Sequence, residues 1–374
     1  MHIQRSTWKA GILISALLLL TGCEEPVEPK IAVSIPVPEN SPETTLPNRV
    51  DPRLPDYQAA NAPPLGQLHI VAEQATLQLA QLWASMLSSG DSSLEVRTRT
   101  ARPESPVRWW RRAGQTQRVA LLKKGMDPEE QAAFETEWGY PPKRLVVAMD
   151  PMVIVVRKGN PLVHRGISLD ELEAIFSDHP HNGNAPIRMW DAFDFGPEWS
   201  KRSISPYGQK STSPLYEWFW RRILRRGMYQ SDVLSVSSSG AVVAEVIKNP
   251  DGIGYTTLSA FEGPVAPVPI ADPQRGTPIV PTADNLFEKL YPLSPGYLYL
   301  YINQRPGIAL DALQRELVRF VYSQAGQRIA ARIGMVPISA LHAVTELRRG
   351  GIRLTPDDVL LASLKNPMKT GRGN

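Results

Sequence analysis

Leu145-Val-Val-Ala-Met-Asp-Pro-Met-Val-Ile-Val-Val156 is the stretch that decides the fold. It reads as a pair of apolar strands interrupted by Asp150-Pro151, since proline lacks the N–H that a ladder needs. Upstream, Leu68, Ile70 and Val71 look like a strand, and Leu77 to Met86 places Leu79, Leu82, Trp83 and Met86 at helical spacing. Downstream, Ser168 with Glu171 three residues later is a capping box, and Leu169, Leu172, Ile175 and Phe176 form the stripe of the helix it opens. Pro214 opens another helix with Leu215, Trp218, Phe219 and Ile223 facing inward. Gly252-Ile-Gly-Tyr255 is a glycine-flanked strand and Tyr297 to Ile302 another. Leu310 to Ile333 reads as one long or two abutting helices ending at Gly334. Alternation of this kind predicts an α/β architecture with mainly parallel sheets. The span 67–340 is more than one sheet needs, so two lobes are expected. In such sheets ligands collect beyond the strand ends, where helix N-termini point inward.

The ends of the chain carry a different message. Arg5 and Lys9 precede a short apolar run, Gly11 to Leu20, and Leu20-Thr-Gly-Cys23 follows directly. A run this short is a signal-peptide core, because a membrane span needs about 20 apolar residues. The tetrapeptide resembles the bacterial lipobox, and Cys23 is the expected lipidation site; the alternative is an ordinary signal peptide with an incidental cysteine. Residues 1–23 are thus read as a lipoprotein signal peptide, and the rest as extracytoplasmic and membrane-anchored through lipid. Glu24 after the cysteine favours the outer membrane in a host with two. Residues 24–66, rich in Pro, Glu, Asn and Thr, read as an extended tether. Residues 341–374, polar and basic, read as a fraying tail.

The 374 residues are 42% hydrophobic and carry a formal net charge of +4, which is modest for this length. Basic residues are local, as in Arg108-Trp-Trp-Arg-Arg112 and Arg221-Arg-Ile-Leu-Arg-Arg226. In an exported protein these read as solvated faces or surfaces toward anionic lipid or cell-wall polymer rather than nucleic-acid contacts. Trp109 and Trp110 read as core side chains before sugar platforms. His179-Pro-His181, with Asp178 or Asp191, is a candidate metal site, but a solvated loop is the favoured reading. No nucleophile elbow, P-loop or His-Glu-x-x-His occurs, so neither catalysis nor a cofactor or metal is expected.

Several segments fall in the order seen in the phosphate-binding family of periplasmic solute-binding proteins. They are Pro128-Glu-Glu130 before Phe134, Asn160-Pro-Leu162, Leu169 to Ser177 with Trp190 downstream, and Gly252-Ile-Gly-Tyr255. Tyr291-Pro-Leu-Ser294 before Tyr299, and Gly326-Gln-Arg-Ile329 followed by Gly334-Met-Val-Pro337, complete the series. Residues 67–340 therefore resemble that family. The resemblance implies a two-lobed, type II periplasmic-binding-protein-like fold with two hinge crossovers, placed near Asp150-Pro151 and Gly254-Tyr255. Lobe one would be about 67–150 and 255–340, and lobe two about 151–254.

It also implies anion-binding segments. A Gly-Ser-rich turn before the first helix corresponds to Ala72-Glu-Gln-Ala-Thr76, which keeps Thr76 alone. An Arg followed by Ser-Gly-Thr corresponds to Tyr207 to Pro214, with Lys210, Ser211 and Thr212 as candidates; the alternative there is a plain N-cap with a surface lysine. An Asp-led segment corresponds to Arg118 to Lys124, where the acid is absent and Lys123 stands in a ligand position. Ser105 takes a loop position. Phosphate is the favoured ligand, because hydroxyls and helix N-termini supply the donors that a desolvated oxyanion needs. The expected partners are an inorganic anion, an ABC permease and the membrane, with the protein itself a monomer and not an enzyme. The alternative is a non-transport interaction or sensory lipoprotein reusing the scaffold.

Overall fold

The computed structural model describes residues 49–58, 65–89, 94–100, 118–123, 125–181, 183–271 and 278–352. Cys23, Ser105, Trp109, Trp110 and most of the expected tether lie outside the described residues. No described helix is long and apolar enough to cross a membrane.

The first half of the fold runs β1 (Gly66–Ala72), α1 (Leu77–Ser88), β2 (Leu94–Thr100), β3 (Arg118–Leu122), α2 (Pro128–Trp138) and β4 (Lys143–Met149). The chain then enters β5 (Met152–Arg157), α3 (Leu162–Arg165), β6 (Ile167–Ser168), α4 (Leu169–Phe176), β7 (Ser205–Gln209) and α5 (Pro214–Arg222). Next come β8 (Leu234–Val236), α6 (Ser239–Lys248), β9 (Gly252–Thr257), β10 (Val265–Val268), β11 (Ile270–Ala271) and β12 (Pro278–Ile279). Last are α7 (Ala283–Phe287), β13 (Tyr297–Ile302), α8 (Ala312–Val321), α9 (Gln324–Arg332) and α10 (Ala340–Arg349). Local signals set several of these. Ser168 with Glu171 forms the expected capping box, as does Asp127 with Glu130 ahead of α2.

Two five-stranded sheets result, in the orders β2-β1-β3-β13-β4 and β8-β7-β9-β5-β10, with a small third sheet of β12, β11 and β6. The α/β expectation holds, but the sheets are mixed rather than mainly parallel, with as many antiparallel as parallel pairings in the two large sheets. Strands β1 to β3 pair in parallel, as do β7 to β9, whereas β13 and β5 are antiparallel to both neighbours. The reason is the hinge. Strands fed by a preceding helix or loop run toward the Asp150-Pro151 crossing and end there. Strands β5 and β13 begin there and run outward, so each sheet carries one reversed strand.

The crossing is a tight node of backbone. Asp150 N–H donates to the Gly296 carbonyl (2.8 Å), Met152 N–H to Ser294 (2.9 Å) and Leu258 N–H to Pro151 (3.0 Å). Gly296 sits at φ +58°, and a Cβ there would lie 1.9 Å from the Asp150 carbonyl oxygen. Strand β9 belongs wholly to the second sheet, and the chain continues through β10, β11 and β12 before β13 rejoins the first. The expected crossover at Gly254-Tyr255 is therefore corrected, and the second lobe runs past residue 254 to about β12. A glycine-flanked strand reveals itself in sequence, but its sheet partners do not.

Both ends of the folded part pack more tightly than the sequence suggests. Residues 340–349 do not fray: Ser339 caps α10, and buried Glu346, 2% exposed, accepts the Val146 N–H of β4 (2.9 Å). The last part of the expected tether is docked too. Leu54 is buried, Tyr57 donates to Glu316 (2.6 Å), and Asp51 accepts the Ala340 N–H at the start of α10 (2.9 Å). The Gly326-Gln327 motif has a comparable structural explanation. Gln327 is fully buried, donates to the carbonyls of Val147 and Val321, and accepts from Ile338 N–H. It stitches β4 to the closing helices.

Two expected outcomes follow from these contacts. Gly296→Ala lowers unfolding stability by about 3 kcal/mol or more in denaturant titration, because a forbidden contact adds to a left-handed backbone. Burial raises the Asp51 carboxyl pKa, but Arg53 and the Ala340 and Arg53 N–H groups outweigh it and hold it below 3.8. A depressed carboxyl contributes stability above its unfolded value and loses it as pH falls through the folded value. The stability gap between wild type and Asp51→Asn therefore persists at neutral pH and shrinks below about pH 4, measured as Tm against pH.

Candidate binding cleft at the junction of the two sheets

Because most strands end at the hinge, the loops after them and the helices they feed converge on one space. It is a cleft of about 630 Å³ lined from both sheets.

The first sheet contributes the β1–α1 turn and the end of β3. Glu73 and Ala75 line the cleft, as does Lys123. Lys123 donates its N–H to Glu73 Oε2 (3.0 Å), and its Nζ lies 2.5 Å from Asp150 Oδ2. Asp150, 3% exposed, also accepts the Ser259 N–H (2.9 Å) and hydroxyl (2.8 Å). The acid missing from the β3 segment is thus supplied by the hinge, where it neutralises the lysine. Thr76 was expected to touch ligand. It is buried instead, and its hydroxyl donates to the Leu121 carbonyl (2.7 Å), tying the β1–α1 turn to β3.

The second sheet contributes the N-termini of α5 and α6. Ser213 caps α5 through Leu215 N–H, and Ser238 caps α6 through Ala241 N–H. Gln209, 4% exposed at the end of β7, donates from Nε2 to Ser239 Oγ (2.9 Å) and accepts from Ser213 Oγ (2.5 Å). Its own N–H donates to Tyr255 Oη (3.1 Å), and the Tyr255 ring stacks on Phe219 at 4.2 Å. Burial pushes the Tyr255 phenol above its ordinary value, so it stays protonated. Thr257, Ser259 and Ser294 add hydroxyls near the hinge, while Met152, Leu215 and Trp218 supply apolar wall.

This corrects the expected anion cradle. Lys210, Ser211 and Thr212 form an exposed turn and do not line the cleft. Gln209 and Ser213, on either side of that turn, do. Strand β7 extends through Gln209, so the turn beyond it bulges to solvent and only its last hydroxyl returns to cap α5. The N-cap spacing before Pro214 was the signal that could have singled out Ser213. In the His179–His181 loop, His181 Nδ1 lies 2.7 Å from Glu173 Oε1, whose carboxylate is buried, so that part of the loop is an anchor. Among the described residues no group of three or more His, Cys, Asp or Glu is placed to hold a metal.

The first turns of α5 and α6 and the turn that precedes α1 border one space, and helix N-termini carry the partial positive charge that favours an oxyanion. The comparisons agree with the architecture. A family model described as a PBP superfamily domain matches residues 58–325. The phosphate-binding protein PstS of Pseudomonas aeruginosa is 27% identical over 304 residues, covering 81% of this chain and 92% of that protein. PstS of Staphylococcus aureus is 24% identical over 204 residues, covering 54% of this chain and 57% of that protein. The crystal structure of PstS from Borrelia burgdorferi is similar in fold, with TM-score 0.50 and 16% identity, covering 73% of this chain and 98% of that one. The chain belongs to the PBP superfamily.

The Lys123–Asp150 pair gives a stability test. Lys123→Met leaves a buried carboxylate without its cation and lowers unfolding free energy by about 3 kcal/mol. Lys123→Met combined with Asp150→Asn restores most of that loss, as read by urea denaturation.

Proposed function

We propose that this member of the PBP superfamily is an extracytoplasmic solute-binding protein that captures an oxyanion, phosphate first among candidates, and delivers it to an ABC permease. It is anchored by lipid on Cys23 and works as a monomer. The observation that carries the reading is the convergence of two helix N-termini, those of α5 and α6, and a set of serine and threonine hydroxyls on a cleft at the hinge. Capture then needs no chemistry. A ligand held by Ser239, Gln209 and the N-termini of α5 and α6 on one wall, and by the turn that precedes α1 on the other, favours the closed arrangement of the two sheets. Its differential affinity for that arrangement drives closure.

A second reading has a specific observation behind it. The cleft lysine is engaged by Asp150, and Glu73, whose carboxylate accepts the Lys123 N–H, lines the cleft beside it, so the scaffold could serve an interaction or sensory role without transport. Titration calorimetry of the lipid-free mature chain with phosphate and sulfate separates the two. Micromolar or tighter phosphate binding is expected. It weakens about tenfold in Ser239→Ala, as for one lost charge-assisted hydrogen bond, and is unchanged in Lys210→Ala. No oxyanion binding favours the second reading. Incorporation of labelled palmitate that is lost in Cys23→Ala tests the anchor.

A further inference from the structure

The two helix N-termini on the second wall are not equivalent. Helix α6 is entered through Ser238-Ser239-Gly240, and all three line the cleft. Ser238 Oγ takes the Ala241 N–H, while the N–H groups of Ser239 and Gly240, in the first turn, have no intrahelical acceptor. The Ser239 hydroxyl accepts from Gln209 and has a proton left to donate. Space is open at Gly240, where an added Cβ would meet nothing within 4 Å.

Helix α5 opens instead on Pro214, which has no N–H, and its Leu215 N–H is already taken by Ser213 Oγ. What this first turn offers the cleft is apolar surface: Pro214, Leu215 and Trp218 line it, the last two placed three residues apart on one helix face. Met152, Ala75 and Ala260 extend that surface. Gln209 joins the two halves, donating to Ser239 and accepting from Ser213, so the donors of α6 and the apolar turn of α5 lie one side-chain amide apart. A single small molecule spans both.

The charges do not favour a bare ion. Lys123 is the cation among the described lining residues, and it is paired with Asp150 at 2.5 Å. Affinity must then come from neutral donors and from burial of apolar area. An inorganic oxyanion uses the donors and has no apolar group to set against Trp218 and Leu215. The cleft volume of about 630 Å³ falls in the range of sites for organic ligands.

We propose that the cleft selects an organic phosphate or phosphonate over the inorganic ion, with the oxyanion head on the α6 turn at Ser239 and Gly240 and an apolar substituent along Leu215 and Trp218 of α5. This rests on the solute-binding reading and specifies its ligand class. The head supplies binding common to both kinds of ligand, and the substituent supplies the discrimination.

Calorimetric titration of the lipid-free mature chain with inorganic phosphate, methyl phosphate, phenyl phosphate and phenol tests it. Affinity is expected to rise from inorganic to methyl to phenyl phosphate, the last binding at least tenfold more tightly than the first, with phenol at least tenfold weaker than phenyl phosphate. In Trp218→Ala the ratio of phenyl to inorganic phosphate affinity should fall to threefold or less, and Trp218→Phe should keep part of it. Near-UV circular dichroism and Tm establish that each variant is folded. Inorganic phosphate binding as tightly as phenyl phosphate, or a ratio unchanged in Trp218→Ala, overturns the proposal and leaves oxyanion capture standing. Phenol matching phenyl phosphate overturns the oxyanion head. Binding of none of the four overturns the solute-binding reading together with this one.

Discussion

The rest of the structure depends on how Asp150 is held. Its backbone N–H is bonded to Gly296, its carboxylate takes Lys123 Nζ and both donors of Ser259, and Pro151 accepts from Leu258. Every segment that passes between the two sheets meets at this point. A buried carboxylate without partners would be costly, so the three groups that satisfy it are fixed in place relative to one another. Because β4 ends and β5 begins here, the directions of both sheets are set by the same node. Because the strands end here, so is the position of the cleft.

The node also joins the crossing to the cleft wall. Lys123 lies on the first sheet, Ser259 follows β9 of the second, and Asp150 bridges them. A rotation of one sheet against the other must be absorbed by a few residues around 150–151, 258–259 and 294–296, which is the usual form of hinge closure. On the second wall, Gln209 is held between Ser213 and Ser239 and backed by the Tyr255–Phe219 stack. Donors ordered before ligand arrives do not pay the entropy of ordering on binding. Residues 49–58 and α10 clasp each other through Asp51, and Glu346 accepts the Val146 N–H of edge strand β4. Covering that edge removes a strand that could otherwise pair with another chain.

Local signals settled much of this protein. The Ser168–Glu171 box, the proline-started α5 and the apolar pair around Asp150-Pro151 each depend on a few neighbouring residues. Sequence shows such features directly, because capping, proline geometry and periodicity act over a few positions. The ordered motifs gave the family for the same reason: Gln327 and Gly326 are demanded by close packing at one place and leave a readable mark.

What only the tertiary structure decided was which distant groups meet. Helix α10 carries a charged sequence whose apolar face becomes evident only against β4. That β9 and β10 belong with β5 depends on pairings between residues about 100 positions apart. The choice of Gln209 and Ser213 over Lys210, Ser211 and Thr212 depends on where β7 stops. The pairing of Lys123 with Asp150 turned an expected ligand cation into part of the hinge. Sequence determined the fold through short-range chemistry. The charge and shape of the cleft were left to long-range packing, because a side chain's partner across a cleft is written nowhere near it in the chain.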